Sequence, residues 1–449
     1  MHWNRQYIIK SYIRASLWFV PFLSLLAFWV ISRITFGIGG WLLRTGRIDE
    51  TTAFYALTTA GAQAGLNTIV TANLSFLVFT FGSLLVAIQV AGGQYTPRVI
   101  ATTLLRDNAI RFIVGYFVFT LLFAIRVLIK MAGERVDQFN YFIAGALGMV
   151  SVVVFLYLID YAARFLRPVS IVQRVGESGL AVIQNVYPET TKRPSPVVSS
   201  RKPASPERTV AHVDTSGTVL ALDLTGLVAQ AQSADGIIEF VPQVGDFVSV
   251  DEPLFRLYGG AGSIDDRKLR TAVALGSERT VEQDPTFAFR ILVDIAIKAL
   301  SPAINDPTTA VLAIDQLHRL LRRVGLRQLR SEEICDAAGE LRLVFRTPNW
   351  EDFVHLTCTE IRHCGAGSIQ IMRRMRSMLD NLIQTLPQHR NAELHRQLAL
   401  LDRTIEGHYA FPEDQALARI PDPQGLGGTV GLQAAIDKSW RSDPSRGAG

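Results

Sequence analysis

Apolar residues are concentrated in the first 160 positions, where they form runs long enough to cross a bilayer. A transmembrane helix needs about 20 predominantly apolar residues. Four stretches reach or approach that length, and each predicts a transmembrane helix. They cover residues 15–31, a segment within 67–91, residues 112–129 and residues 141–159.

The second of these stretches lies in a long uncharged window. Residues 51–97 contain no Asp, Glu, Lys, Arg or His. As a single helix this window would be about 70 Å long, more than twice the thickness of the hydrocarbon core. Its first part is small and mildly polar, whereas residues 74–90 are strongly apolar. We therefore predict an outer segment at residues 51–66 that leads into one span ending at Gly92 and Gly93.

One face of this second span carries small and hydroxylated side chains. At 100° per residue the face consists of Phe76, Thr80, Ser83, Ala87, Ala91 and Gln94, and Gln89 lies on the opposite side. Such a face has two interpretations. It can pack closely against another helix, because small residues let backbones approach. Alternatively, it can form the polar wall of a pore, within one chain or at the axis of an oligomer.

The second half of the chain is more polar and predicts a water-soluble part. Residues 187–207 are rich in Pro, Ser and basic residues, which is typical of a mobile linker. Residues 209–260 alternate apolar and polar positions with a period of two, which predicts β-strands. Within them, residues 244–257 resemble the barrel-sandwich hybrid of biotinyl and lipoyl carriers, with a tight turn at Gly245 and Asp246. Residues 203–267 contain no Lys, so the resemblance implies the fold without the carriers' modified lysine.

Residues 261–415 are predicted to be mainly helical. One helix begins at Asp284-Pro285, and another begins after Asn305 with Asp306 as its N-cap. The loop between them either holds an anion at the helix N-terminus or is a well-capped turn. The candidate residues are Ser301, Asn305, Asp306, Thr308 and Thr309. Residues 421–449 are rich in Gly, Ser and Pro and predict a disordered tail.

Candidate chemistry is sparse. His355, Cys358, His363 and Cys364 lie within ten residues and could bind zinc. Their spacing matches no standard zinc finger, so core thiols and surface histidines are the simpler explanation. There is no nucleophile–base pattern and no P-loop, and we predict neither an enzyme nor a cofactor. An arginine-rich set is interpreted as basic surface facing solvent or anionic lipid rather than nucleic acid: Arg319, Arg322, Arg323, Arg327, Arg330, Arg373, Arg374 and Arg376.

Charge predicts the orientation of the chain. Its 449 residues carry a net charge of +5, and basic residues are more frequent at the span ends that share a side with the N-terminus. The positive-inside rule therefore places that side in the cytoplasm. Four spans return the chain to the same side, so the C-terminus is also predicted to be cytoplasmic. The three cysteines, Cys335, Cys358 and Cys364, are too few for a disulfide framework and suit a reducing compartment.

Two motifs occur in order along the chain. The first is Phe-Gly-Ser-Leu-Leu-Val-Ala-Ile-Gln-Val-Ala-Gly-Gly-Gln-Tyr-Thr-Pro-Arg at residues 81–98, and the second includes Ala-Leu-Ser-Pro-Ala-Ile-Asn-Asp-Pro-Thr-Thr-Ala at residues 299–310. With the β pattern between them, the chain resembles a bacterial family of predicted inner-membrane proteins of unknown function over residues 10–390. The resemblance implies four spans in the inner (plasma) membrane and a cytosolic domain. It implies no activity and no catalytic residues.

The predicted fold is an α-helical membrane domain with four spans at residues 1–180, followed by an α+β cytosolic domain. The cytosolic domain would contain the small barrel-sandwich-like β module at residues 209–260 and a helical bundle at residues 261–415. The expected partners are the lipid bilayer and other copies of the chain, and the ligand of the cytosolic domain stays open. The leading functional hypothesis is an oligomeric channel for ions or small solutes, gated or assembled by the cytosolic domain. The alternative is a non-conducting membrane scaffold or sensor.

Overall fold

The computed structural model describes residues 3–15, 19–44, 58–94, 108–131, 138–165, 167–190, 205–277, 279–280, 283–329 and 332–427. Contacts divide the chain into two compact units. The membrane unit comprises Tyr12–Gly93 and Ile100–Ser170, and the C-terminal unit comprises Ile171–Gly449 together with Met1–Ser11 and Gln94–Val99. The boundary at Ser170 comes earlier than the predicted end of the membrane domain at position 180.

Among the described residues, four helices are long and apolar enough to cross a membrane, as predicted. They follow a shorter helix, α1, that was not predicted. The helices are α1 Trp3–Ala15, α2 Phe19–Arg44, α3 Thr59–Gln94, α4 Asn108–Lys130 and α5 Gln138–Phe165. The predicted combination of a four-span helical part with an α/β part is therefore confirmed.

Helix α3 is longer than the predicted span. Its 36 residues include positions 59–66, which were predicted to belong to an outer segment. These first turns are held by tertiary packing, because Ala62 and Leu66 are fully buried in a cluster with Phe123 and Ala144. Residues 51–57, the rest of the predicted segment, lie outside the described residues.

Helix α3 packs against α4 and α5 through contacts at successive levels. The ring centroid of Phe76 lies 4.1 Å from that of Phe155 on α5 and 5.5 Å from that of Phe117 on α4. Two turns earlier on α3, Ile69 lies against Gly148 of α5, where a Cβ would be 2.8 Å from the Ile69 side chain. Since contacts on both helices advance in the same sequence direction, α3 and α5 are parallel.

The described part of the C-terminal unit contains two open sheets. In the five-stranded sheet the order is β1-β5-β3-β8-β7, with β3 and β8 parallel and the other neighbours antiparallel. The three-stranded sheet is antiparallel, in the order β4-β2-β6. The strands are β1 Arg208–Ala211, β2 Gly217–Leu222, β3 Gly236–Gln243, β4 Phe247–Val248, β5 Pro253–Gly259, β6 Val273–Gly276, β7 Glu333–Cys335 and β8 Leu341–Arg346.

The predicted turn and the strand after it are present. Gly245 has a φ of +98°, which glycine adopts without steric cost, and the Asp246 carboxylate accepts a hydrogen bond of 2.8 Å from the Gln243 amide. Strand β5 begins at Pro253. The five-stranded sheet also contains β7 and β8, which lie within residues 261–415, a stretch predicted to be mainly helical. Periodicity along the chain does not reveal that β8 pairs with the distant β3.

Helices pack around a second core in the C-terminal unit. Gly179 lets α6 approach two of them closely, because a Cβ there would lie 2.9 Å from Ala288 and 3.0 Å from Leu320. These helices are α6 Pro168–Val186, α9 Pro285–Ala299, α10 Pro307–Gly325, α11 Trp350–Cys364, α12 Ile369–Thr385, α13 Asn391–His408 and α14 Pro412–Ala418. Two further helices, α7 Leu224–Ser233 and α8 Asp266–Arg270, pack against the strands instead.

The described start of the predicted tail is bound to this bundle. Asp422 is fully buried, and the guanidinium group of Arg373 donates hydrogen bonds to the carbonyls of Ile420 and Gly427. Arg373, Arg374 and Arg327 are 1%, 8% and 8% exposed, so their assignment to basic surface was wrong. Arg330, from the same predicted set, lies outside the described residues. Nothing near Arg373 and Arg374 in the sequence indicates that a later segment covers them. Residues 428–449 lie outside the described residues.

The predicted linker is only partly described. Its first residues are ordered: Tyr187 is 1% exposed and its ring packs edge-on against Phe353. The carbonyl of Pro188 accepts a hydrogen bond from Arg327, which is itself buried. Residues 191–204, the middle of the predicted linker, lie outside the described residues.

Candidate functional site

The small and hydroxylated face predicted on α3 lies against the chain's own helices. Thr80 and Ala87 are buried, and Ser83 is half-buried. The hydroxyls of Thr80 and Ser83 donate to carbonyls of the same helix, at 2.6 Å and 2.9 Å. The side chains of Ala91 and Gln94 lie outside the described residues.

This predicted face borders a small cavity inside the membrane unit. The cavity has a volume of about 50 Å³, and its other walls are mainly apolar side chains of α4 and α5, including Ile110, Leu158 and Tyr161. The geometry therefore agrees with close packing within one chain. A second copy of the protein would not meet Thr80 or Ala87.

A different face of α3 is exposed and is also small and hydroxylated. Its members recur at helical spacing and lie about 120° around the helix from Ala87. We call it the open face, and it consists of Gly61, Ala64, Thr68, Thr71 and Ser75. Two of its hydroxyls donate hydrogen bonds within the helix. Thr68 donates to the Ala64 carbonyl and Ser75 to the Thr71 carbonyl, both at 2.9 Å.

The open face differs from the exposed surfaces of the other spans, which carry large apolar side chains suited to lipid. On α5, Met149, Val153 and Leu156 are 72%, 66% and 61% exposed. On α3 itself the exposed surface beyond Ser75 is mostly large and apolar, with Val78 and Leu85 each 66% exposed, although Gly82 is exposed as well. The hydroxylated part of this face is therefore confined to the first half of α3.

Sequence reasoning missed the open face for an identifiable reason. The predicted span began at position 67, so Gly61 and Ala64 were assigned to a separate segment. A helical wheel extended back to Thr59 would have placed them in line with Thr68 and Thr71. The wheel alone would still not have shown which face packs against α4 and α5.

The loop before α10 is a capped turn. The Asp306 carboxylate accepts hydrogen bonds from the amide and the hydroxyl of Thr309, the amide bond being 3.0 Å. The Ser301 hydroxyl donates to the Lys298 carbonyl at 2.7 Å, and Asn305 has a φ of +47°. Thr308 is exposed. Because Asp306 already places a negative charge at this helix N-terminus, the geometry favours the turn over an anion site.

The cysteine and histidine set is dispersed around α11. The His355 ring Nε2 lies 3.2 Å from the buried Glu393 carboxylate, while Cys358 faces the core and His363 and Cys364 are exposed. No group of three or more potential metal ligands occurs in the part of the chain that the structure describes. Burial raises the pKa of the Cys358 thiol to about 12.

The environments of the thiols predict selective labelling. At pH 8 we expect a maleimide to label Cys364 and to leave Cys358 unmodified in the folded protein, because Cys358 is both inaccessible and protonated. Mass spectrometry after brief labelling measures this directly, and labelling in denaturant is the control that shows both sites are detectable. Equal labelling of the two cysteines without denaturant would contradict the described packing of α11.

The C-terminal unit has an open groove of about 410 Å³ beside the three-stranded sheet. The rings of Trp3 and Tyr7 on α1 pack against Leu220, Ala221 and Ala274 of that sheet. The groove combines apolar and polar walls, and its residues include Asn4, His212, Thr215, Ser216, Arg270 and Leu275. Sequence reasoning missed this groove, because α1 and the sheet are more than 200 residues apart along the chain.

Four spans joined to an α/β part of this kind define a multi-pass membrane protein. The chain belongs to the DUF2254 family, described as predicted membrane proteins, whose model matches residues 14–381. An uncharacterized protein of Mycobacterium bovis is 24% identical to it, over 92% of this chain and 81% of the relative. An uncharacterized protein of Mycobacterium tuberculosis matches with the same identity and the same coverage. No solved structure matches the chain.

Proposed function

We propose that this membrane protein forms a homo-oligomer through the open face of α3, and that this face lines a passage for ions or small polar solutes. The C-terminal unit would assemble or gate the oligomer. We also propose that the protein resides in the bacterial inner membrane with both termini in the cytoplasm, as the basic residues beside the spans indicate.

The observation that carries this proposal is the chemistry of the open face. In hydrocarbon, large apolar side chains cover a lipid-facing helix at no cost, whereas hydroxyl groups gain nothing from lipid contact. Small residues allow helices to approach closely, and hydroxyls can bond across the contact. Both properties are present at Gly61, Ala64, Thr68, Thr71 and Ser75, all of which are exposed in a single chain.

A passage suits this face for a further reason. The Thr68 and Ser75 hydroxyls use their protons on their own helix, which leaves oxygen lone pairs directed outwards. Such oxygens can replace part of the hydration of a cation or accept hydrogen bonds from water. The open face carries no charged side chain, so we expect this preference for cations over anions to be weak.

Flux from liposomes tests the passage. Purified protein reconstituted into liposomes should release trapped K⁺ faster than protein-free liposomes. Ser75→Trp should reduce the rate to the protein-free level, because an indole would fill the space beside the helix. Val153→Trp is the matched control, since Val153 is exposed on the parallel helix α5 at nearly the same level, and it should retain release.

A second candidate function is a non-conducting membrane scaffold or sensor. The groove beside α1 favours it, because a groove of this size with mixed polar and apolar walls could accept a small ligand. In that case the open face would pack dry against another copy. Absence of K⁺ and glycerol release from liposomes that contain oligomeric protein would exclude the passage and leave the scaffold.

A further inference from the structure

A buried polar side chain lies at the centre of the membrane unit. Asn73 of α3 is 1% exposed. Its Nδ2 donates a hydrogen bond of 2.9 Å to the Ile69 carbonyl. Its Oδ1 accepts no hydrogen bond from the described residues. In a membrane span an unpaired amide oxygen is costly, since no bulk solvent is present to bond it.

The contacts on either side of Asn73 show what it faces on α5. Ile69, one turn before it, lies against Gly148, and Phe76, one turn after it, stacks on Phe155. Because α3 and α5 are parallel, Asn73 is opposite the residue midway between Gly148 and Phe155 on the buried side. That residue is Ser151, which is fully buried and donates a hydrogen bond of 3.0 Å to the Leu147 carbonyl.

Helix α4 contributes polar groups at the same level. On α4, Phe117 packs against Phe76 of α3, and Phe123 packs in the cluster with Leu66 of α3. Thr120 lies midway between Phe117 and Phe123, at the depth of Asn73, and is fully buried. The Tyr116 hydroxyl donates a hydrogen bond of 2.8 Å to the Leu147 carbonyl and lies beside Thr120 and Ser151. We call Asn73, Tyr116, Thr120 and Ser151 the polar layer.

We propose that the polar layer is a binding site for water between α3, α4 and α5, with one water molecule donating a hydrogen bond to Asn73 Oδ1. The Leu147 carbonyl already accepts from Tyr116 and Ser151, but Asn73 Oδ1 and the Thr120 hydroxyl have no hydrogen-bond partner among the described residues. With the hydroxyl oxygens of Tyr116 and Ser151 as further acceptors, the layer offers the two to four partners that a buried water needs. All of these groups are neutral. A cation would lack a countercharge in this apolar surrounding, so water is the ligand that the chemistry favours. This site is independent of self-association through the open face.

Radiolytic labelling tests the site in the intact protein. X-ray pulses produce hydroxyl radicals from water, and the radicals oxidise neighbouring side chains. In detergent-solubilised protein we expect Tyr116 to be oxidised, and Asn73→Leu to lower its oxidation rate at least fivefold. Thr120→Val should lower it as well, and this variant gives the same readout if Asn73→Leu does not fold. Met131, which is 1% exposed and lies three turns beyond Thr120, should stay unmodified throughout.

The comparison between variants separates bound water from other sources. Any access of Tyr116 to radicals from outside the membrane unit is the same in the wild type and in Asn73→Leu. Equal oxidation rates in the wild type and in both variants would overturn the proposal. A rate that changes when K⁺ or Na⁺ replaces tetramethylammonium in the buffer would identify a cation instead, and would also overturn it.

Discussion

Replacing Asp422 with alanine should detach residues 420–427 from the helical bundle and destabilise the C-terminal unit by about 3 kcal/mol. The Asp422 carboxylate is fully buried and accepts hydrogen bonds from the amides of Gln424, Gly425 and Gly427, at 3.0, 2.9 and 2.7 Å. Without it, three amides lose their acceptor. The buried guanidinium of Arg373, which donates to carbonyls of the same segment, loses part of its support.

Hydrogen exchange measured by mass spectrometry checks this result. Peptides that cover residues 420–427 should lose their protection in Asp422→Ala, and urea should unfold the C-terminal unit at a lower concentration. Asp422→Asn, which keeps one acceptor oxygen, should be intermediate. Asp214→Ala removes an exposed carboxylate of the same unit and should change neither readout. Wild-type protection in Asp422→Ala would show that the segment is not held as described.

The sequence predicted those features that depend on neighbouring residues. Hydropathy located four spans, the Asp306 cap follows from local turn chemistry, and the turn at Gly245 follows from its flanking pattern. Helical periodicity likewise indicates which side of α10 is buried. The residues of that side are Ala310, Ile314, Leu317, Leu321 and Val324, all of them buried.

What the sequence could not predict depends on packing between distant segments. The face that contains Thr80 and Ala87 and the open face of α3 are similar in composition. Which of them is covered is decided by Phe117 of α4 and Phe155 of α5. Likewise, Arg373 was interpreted as surface because nothing near it in sequence indicates that Ile420 and Gly427 cover it. Both differences concern which surface is buried rather than which elements form.

Cysteine cross-linking should capture the proposed contact between copies of the chain. Thr71 lies in the middle of the open face, and its counterpart in a second α3 would be close if two open faces meet. In a background with Cys335→Ser, Cys358→Ala and Cys364→Ser, we expect Thr71→Cys to form a disulfide-linked dimer upon oxidation in native membranes. Reduction should return the dimer to the 49.6 kDa monomer.

The matched control is Val150→Cys on α5. Val150 is 48% exposed, and the contacts of Ile69 with Gly148 and of Phe76 with Phe155 place it at the level of Thr71. A lipid-facing cysteine at this position should form little dimer under the same oxidation. Two such cysteines would meet only through random collisions between copies in the membrane. Any difference between the two variants therefore reports on the face and not on the depth in the membrane.

The most direct test of self-association through α3 is the fraction of dimer formed by Thr71→Cys relative to Val150→Cys at low expression. Contact through the open face predicts that most of the Thr71→Cys protein becomes cross-linked, while Val150→Cys remains monomeric. Equal, low cross-linking of both variants would contradict the proposed oligomer, and preferential cross-linking of Val150→Cys would place the contact on α5 instead.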